Sequence, residues 1–99
     1  MKAVPPPAPS ALVAVAGEGA ISLIWEGVTA PDLAGYLVLR ADAPDGTLAP
    51  LFDAPLRETT YRDTTARPGA RYVYAVVAVD RATPGNRSAL SNTVEERAR

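Results

Sequence analysis

Apolar side chains recur at every second position in a series of short runs: Leu12, Ala14 and Ala16; Ile21, Leu23 and Trp25; Tyr36 and Val38; Tyr72, Tyr74, Val76 and Ala78. Successive side chains of an extended strand point to opposite faces, so each run lays its apolar set on one face of a sheet. Turn-forming residues interrupt the runs at 17–19, 27–35, 44–46, 68–69 and 84–86, giving about seven strands at the short spacing of a sandwich. β-Branched and aromatic residues concentrate in these runs, and no ten-residue stretch free of Gly and Pro keeps an apolar stripe of helical period. The expected fold is all-β, a seven-stranded antiparallel β-sandwich with helix content close to nil.

At 99 residues the chain has room for one domain, taking roughly 150 residues per domain as the norm. Leu, Ile, Val and Phe number 22 and the 19 alanines bury little area each, so the core is adequate but thin. Rings must carry a large share of it: Trp25, Tyr36, Tyr61, Tyr72 and Tyr74. Cysteine is absent, so no disulfide reinforces a domain of this marginal size.

The same composition excludes most chemistry. Without Cys or His there is no thiolate or imidazole for metal binding, nucleophilic attack or proton transfer near neutral pH. Ser22, Ser88 and Ser91 have no base to activate them. The carboxylates Glu26, Asp32, Asp63 and Asp80 are scattered singly and read as solvated loop charges, while Asp42, Asp45 and Gly46 form a turn signal before they form a cation site. Asn86, Arg87 and Ser88 make a glycosylation triplet that arises often by chance. No catalytic residue, cofactor or metal ligand is assigned, and the expectation is a chain that is not an enzyme. A net charge of -1 gives no excess positive charge for nucleic acid. The longest apolar run, Tyr72 to Val79, is far shorter than the roughly 20 residues that cross a bilayer, so membrane insertion is not expected.

Pro5, Pro6, Pro7 and Pro9 make residues 1–9 a Pro-rich linker and exclude the apolar helix of a signal peptide there. The domain proper is expected over 10–95, with 96–99 as a charged tail.

Beyond pattern, particular segments resemble fibronectin type III domains. "ISLIWEG" places Trp25 on a second strand and "DLAGYLVLRA" follows as a third; "ETTYRDTTARPGARYVYAVVAVD" resembles the fifth strand, proline-glycine loop and long sixth strand of that family, and "NRSALSNTV" its last strand in bacterial members. The likeness runs from Pro9 to Val94. It implies immunoglobulin-like sheets, one from strands near 10–16, 20–26 and 58–64, the other from strands near 35–41, 48–53, 70–80 and 88–95, with Trp25 between them. It also makes Tyr72, spaced after Pro68 and Gly69, a tyrosine corner whose hydroxyl bonds to main chain just upstream. The chain departs from the family at Ala66 and Ala70, where larger or hydroxylated residues are usual, and it lacks both the Arg-Gly-Asp integrin signal and the cysteine pair of antibody domains.

The resemblance implies a spacer and protein-interaction unit of a larger bacterial protein, exported or in the cell envelope, with its signal outside this chain and neighbouring domains or another protein as partners. The alternative from a different class is a carbohydrate- or peptide-binding module using its end loops, and a third is an engineered binding scaffold. Charge divides along the chain, with two basic and six acidic side chains over 1–56 and eight and five over 57–99; head-to-tail pairing of modules and a mixed solvated surface both fit. Leu90, Asn92 and Val94 share a phase that turns the Asn92 amide inward, where it would bond loop backbone and pin the last strand. If Tyr72, Tyr74, Val76 and Ala78 face the core, Val73, Ala75, Val77 and Val79 face outward, joined by Leu37 and Leu39. This candidate interaction face (Leu37, Leu39, Val73, Val77, Val79) suits another domain or weak self-association; strand propensity and covering Arg stems are the bland explanation.

Overall fold

The computed structural model describes residues 5–99; Met1 to Val4, the first part of the expected linker, lie outside the described residues. Seven strands follow in order: β1 (Ser10–Gly17), β2 (Ala20–Glu26), β3 (Leu33–Asp42), β4 (Ala49–Pro50), β5 (Thr60–Asp63), β6 (Arg71–Asp80) and β7 (Val94–Arg97), with no helix among the described residues. They form two antiparallel sheets, one in the order β1-β2-β5 and the other β4-β3-β6-β7. This is the expected sandwich, with the expected division of strands between its layers.

The period-two runs meet between the layers. Ile21, Leu23 and Trp25 from β2 face Tyr36 and Val38 from β3 and Tyr72, Tyr74, Val76 and Ala78 from β6, all buried in one cluster. Trp25 and Tyr36 pack edge to face with ring centroids 5.8 Å apart, the geometry that sets a ring's positive edge against its neighbour's negative face. Tyr61 is half-buried at the margin of this core. The long β3–β6 ladder, in register from Tyr36 opposite Ala78 to Asp42 opposite Tyr72, is the spine of the second sheet.

Two strands are shorter than the apolar pattern suggests. The one expected over 48–53 reduces to Ala49–Pro50: Leu51 N–H still donates to Val38 C=O, but the chain then leaves the edge of β3 and crosses toward β5. It touches β3 again where Tyr36 and Leu56 exchange main-chain bonds at 2.7 and 2.8 Å. Gly35 permits that approach, because a Cβ there would collide with the Leu56 carbonyl.

The strand expected over 88–95 begins only at Val94. Before it, Ser88 and Ser91 take the place of a ladder: their N–H groups donate to Ala78 and Val76 C=O, and their hydroxyls accept from Ala78 N–H at 2.8 Å and Val76 N–H at 2.9 Å. The inward residues are thus Ser88, Ser91 and Val94, a repeat of three that belongs to a threefold extended chain and not to a pleated strand. That spacing overturns the inward phase expected of Leu90 and Asn92, both of which are exposed.

Neither the described part of the expected linker nor the last residues stand apart from the domain. Pro6 and Pro9, within the expected linker, are buried. The residues expected as a charged tail continue β7 to Arg97 and bury Ala98 completely. Ala98 C=O accepts from Gly69 N–H, while Arg99 exchanges main-chain bonds with Gly17 and Gly19 in the turn between β1 and β2. Gly69, at φ +83°, occupies a left-handed turn that other residues adopt only under strain.

Candidate interaction surfaces

Strand phase continues the core into polar side chains at one end of the sandwich. Arg40 follows Tyr36 and Val38 in the same phase of β3, and Asp63 follows Tyr61 on β5, so both point between the sheets beside Tyr74. Tyr74 O–H donates to Asp63 Oδ2 at 2.6 Å, Arg40 Nη1 donates to the same oxygen at 3.0 Å, and Thr65 donates to Asp63 Oδ1 through its hydroxyl at 2.7 Å and its N–H at 3.0 Å. The Arg40 guanidinium also lies 4.6 Å over the Tyr72 ring, a cation–π contact.

Burial alone would raise the Asp63 carboxyl, but hydrogen bonds from Tyr74, Thr65 and Arg40 outweigh it and hold the group below the usual carboxylate range. Burial and the adjacent carboxylate push the Tyr74 hydroxyl well above its ordinary value, so it remains a donor. Asp63 is therefore no solvated loop charge. Its oxygens are committed to four donors, an arrangement that fixes geometry and leaves no lone pair directed at a cleft.

Asp80, two per cent exposed, is likewise not a solvated charge. It ends the inward phase of β6 and accepts from Asn86 N–H at 2.8 Å, Asn86 Nδ2 at 2.9 Å and Ala82 N–H at 3.1 Å, closing the 81–85 loop. The Asn86 amide of the glycosylation triplet is thereby engaged. Tyr72 O–H accepts from Arg67 N–H at 3.0 Å, which places the tyrosine corner at the expected residue. Tyr36 O–H accepts from Val28 N–H at 2.9 Å. The Asn92 amide bonds Leu12 main chain from an exposed position.

The two outer faces differ. On the β3–β6 side, Leu37, Leu39, Val77 and Val79 do point away from the main core, but each is at most seven per cent exposed. Leu48 and Phe52, from the segment that crosses between β3 and β5, pack over them as a second small core. The expected open interaction face is thus covered by the chain itself; Val73, at its end, is half-buried. On the opposite side, Val13, Val15 and Ile24 are 50 to 57% exposed. Register sets Val13 beside Ile24 and Thr60, and Val15 beside Ser22 and Arg62. A shallow cleft of about 300 Å³ lies among Val15, Ser22, Ile24, Thr60 and Arg62. The apolar/apolar alternation of β1, Leu12 inward and Val13 and Val15 outward, was the available sequence signal for this face.

No aromatic ring among the described residues is exposed: Trp25, Tyr36, Tyr72 and Tyr74 are buried, and the half-buried Phe52 and Tyr61 pack on each other with centroids 5.1 Å apart. No group of three or more acidic side chains that could hold a metal ion occurs among the described residues.

Over 84 residues, 85% of its length, the chain is 40% identical to an amylopullulanase of Thermoanaerobacter thermohydrosulfuricus, of which it spans only 5%. An Fn3-like protein from Clostridium thermocellum superposes with a TM-score of 0.75 at 23% identity, over 97% of this chain and 96% of the other. A portion amounting to 13% of a beta-1,2-glucanase from Parabacteroides distasonis superposes with a TM-score of 0.74 at 27% identity, over 97% of this chain. No protein-family profile matches. The sandwich has the fibronectin type III fold.

Proposed function

We propose that this domain of fibronectin type III fold is a non-catalytic module of a larger bacterial polypeptide, exported or held at the cell envelope, in which it serves as spacer and protein-interaction unit. The observation that carries the reading is one of proportion: a match along 85% of this chain falls on 5% of an amylopullulanase. A sequence that recurs as so small a part of a larger enzyme is suited to a supporting role within it, and modules of this architecture are used in that way on many proteins.

The interior chemistry supports the same reading. Asp63 serves Arg40, Tyr74 and Thr65; Asp80 organises its loop; Ser88 and Ser91 bond β6. A sugar-binding face would need rings open to solvent, and the rings here face inward.

Excising residues 10–99 from the larger polypeptide tests the proposal. Turnover per active site is expected to be unchanged, while thermal half-life falls or the hydrodynamic length shortens. Turnover abolished by the excision, and abolished again by Asp63→Asn in a module that still folds, would assign chemistry to the domain and contradict the reading.

A further inference from the structure

The geometry points to the outer face of β1-β2-β5, centred on Val13, Val15 and Ile24, as the seat of a neighbouring domain of the same polypeptide. That partner presents an apolar surface with a carboxylate opposite Arg62. The inference rests on the larger-polypeptide reading above and goes beyond it by naming the surface and the kind of occupant.

Three observations carry it. First, both outer faces of the sandwich carry apolar side chains, interspersed on the β1-β2-β5 side with Ser22, Glu26, Thr60 and Arg62, but only one is covered: Leu48 and Phe52 close the β3–β6 side, and no segment among the described residues lies over Val13, Val15 and Ile24. Three of the four exposed large apolar side chains of the domain fall in this one patch, in adjacent register positions. Contiguous exposed apolar area of that kind marks an interaction surface, whereas scattered residues do not.

Second, the size of the face selects the occupant. β1, β2 and β5 contribute eight, seven and four residues, a face of roughly 300 Å², so full coverage buries about 600 Å² counting both partners. A freely associating pair, including two copies of this chain, needs about 1,200 Å² or more to be stable. Domain contacts within one polypeptide run from about 600 to 1,500 Å², because the tether supplies the effective concentration that area does not. The occupant is therefore a tethered domain.

Third, the face carries an unpaired cation, Arg62, set apart from Glu26 at the far end of β2: it projects beside Ser22 and Val15, is exposed and forms no ion pair among the described residues. A guanidinium at the edge of an apolar patch is matched by a carboxylate, which it binds in bidentate geometry.

The absence of cysteine makes a thiol footprint clean. Val15→Cys is introduced in the 99-residue chain and in the larger polypeptide, with Thr83→Cys on the exposed 81–85 loop as control, and maleimide labelling at each site is followed by peptide mass spectrometry. Val13→Cys serves as a second probe should Val15→Cys impair folding. In the isolated chain both positions should label alike and the chain should sediment as a monomer. In the larger polypeptide the Val15→Cys rate should fall at least tenfold with Thr83→Cys unchanged, and Arg62→Glu should return it towards the isolated-chain rate. Equal Val15→Cys rates in the two contexts overturn the inference alone. Dimerisation of the isolated chain with loss of Val15→Cys labelling overturns it in favour of a second copy, and labelling that stays slow with Arg62→Glu overturns the charge assignment. A native protein of only 10.3 kDa overturns the larger-polypeptide reading, and the inference with it.

Discussion

The side-chain amide of Asn92 engages both main-chain groups of Leu12, eighty positions earlier: Leu12 N–H donates to Asn92 Oδ1 at 2.9 Å and Asn92 Nδ2 donates to Leu12 C=O at 3.0 Å. Leu12 lies where the β1–β2 register slips between Ser10 and Val13, beside Ala11 at φ 55°. At that bulge the amide acts as a one-residue strand, satisfying an edge that would otherwise offer its peptide groups to another chain. It also ties the first sheet to the segment that runs along the second.

Asn92→Ala is accordingly expected to cost about 1 to 2 kcal/mol, the net worth of two partly exposed hydrogen bonds. Urea denaturation measures the loss, and amide exchange should quicken at Leu12 ahead of the β3–β6 ladder.

Tyr72→Phe removes the hydroxyl that accepts from Arg67 N–H and keeps the ring in the core. A loss of about 1 to 2 kcal/mol with the fold retained is expected from denaturation. A variant as stable as the parent would remove the corner from the list of stabilising contacts.

The Asp63 carboxyl is held below the usual range in the folded state. A group whose pKa is depressed by folding contributes stability at every pH above its unfolded value, and that contribution is lost as pH falls through the folded value. The parent should therefore lose stability steeply below about pH 4. Asp63→Asn should be less stable at pH 7 and show a flatter acid limb. Arg40→Met, which leaves the carboxylate buried without its cation, is expected to cost about 3 to 5 kcal/mol at neutral pH. Urea midpoints measured across pH 2 to 7 check all three.

Because Leu48 and Phe52 cover Leu39 and Val77, a charge at either position is buried and not solvated. Leu39→Glu and Val77→Glu should each cost more than about 3 kcal/mol, whereas Val15→Glu on the open face should cost about 0.5 kcal/mol or less. Far-UV circular dichroism on heating separates the two outcomes.

How far the sequence reaches is visible in particular residues. Period two located the inward sets on β2, β3 and β6, because it is a local consequence of backbone geometry, and the resemblance of the Pro68 to Tyr72 segment to fibronectin type III domains located the corner. Asp63, Arg40 and Asp80 were legible in the same phase, following Tyr61, Val38 and Ala78, yet charge type argued against burial; the partners that make burial tolerable come from other strands. The covered face depended on where the 48–56 segment crosses, a path set by the main-chain bonds of Leu56 with Tyr36 and the packing of Leu48 and Phe52 on the β3–β6 face, which no local pattern encodes. In the last segment a repeat of three replaced a repeat of two, and Ser88 and Ser91, which the sequence marks only as serines without a base, supply substitutes for ladder bonds.

That residues 5–99 make one self-sufficient module around Trp25 is tested most directly by urea unfolding of the isolated chain, followed by the emission of this sole tryptophan and by far-UV circular dichroism together. The expected result is a blue-shifted emission in buffer and one cooperative transition with the same midpoint by both probes, with Trp25→Ala losing about 3 to 5 kcal/mol. Emission already at the solvent-exposed wavelength in buffer, or two transitions at different midpoints, would contradict it.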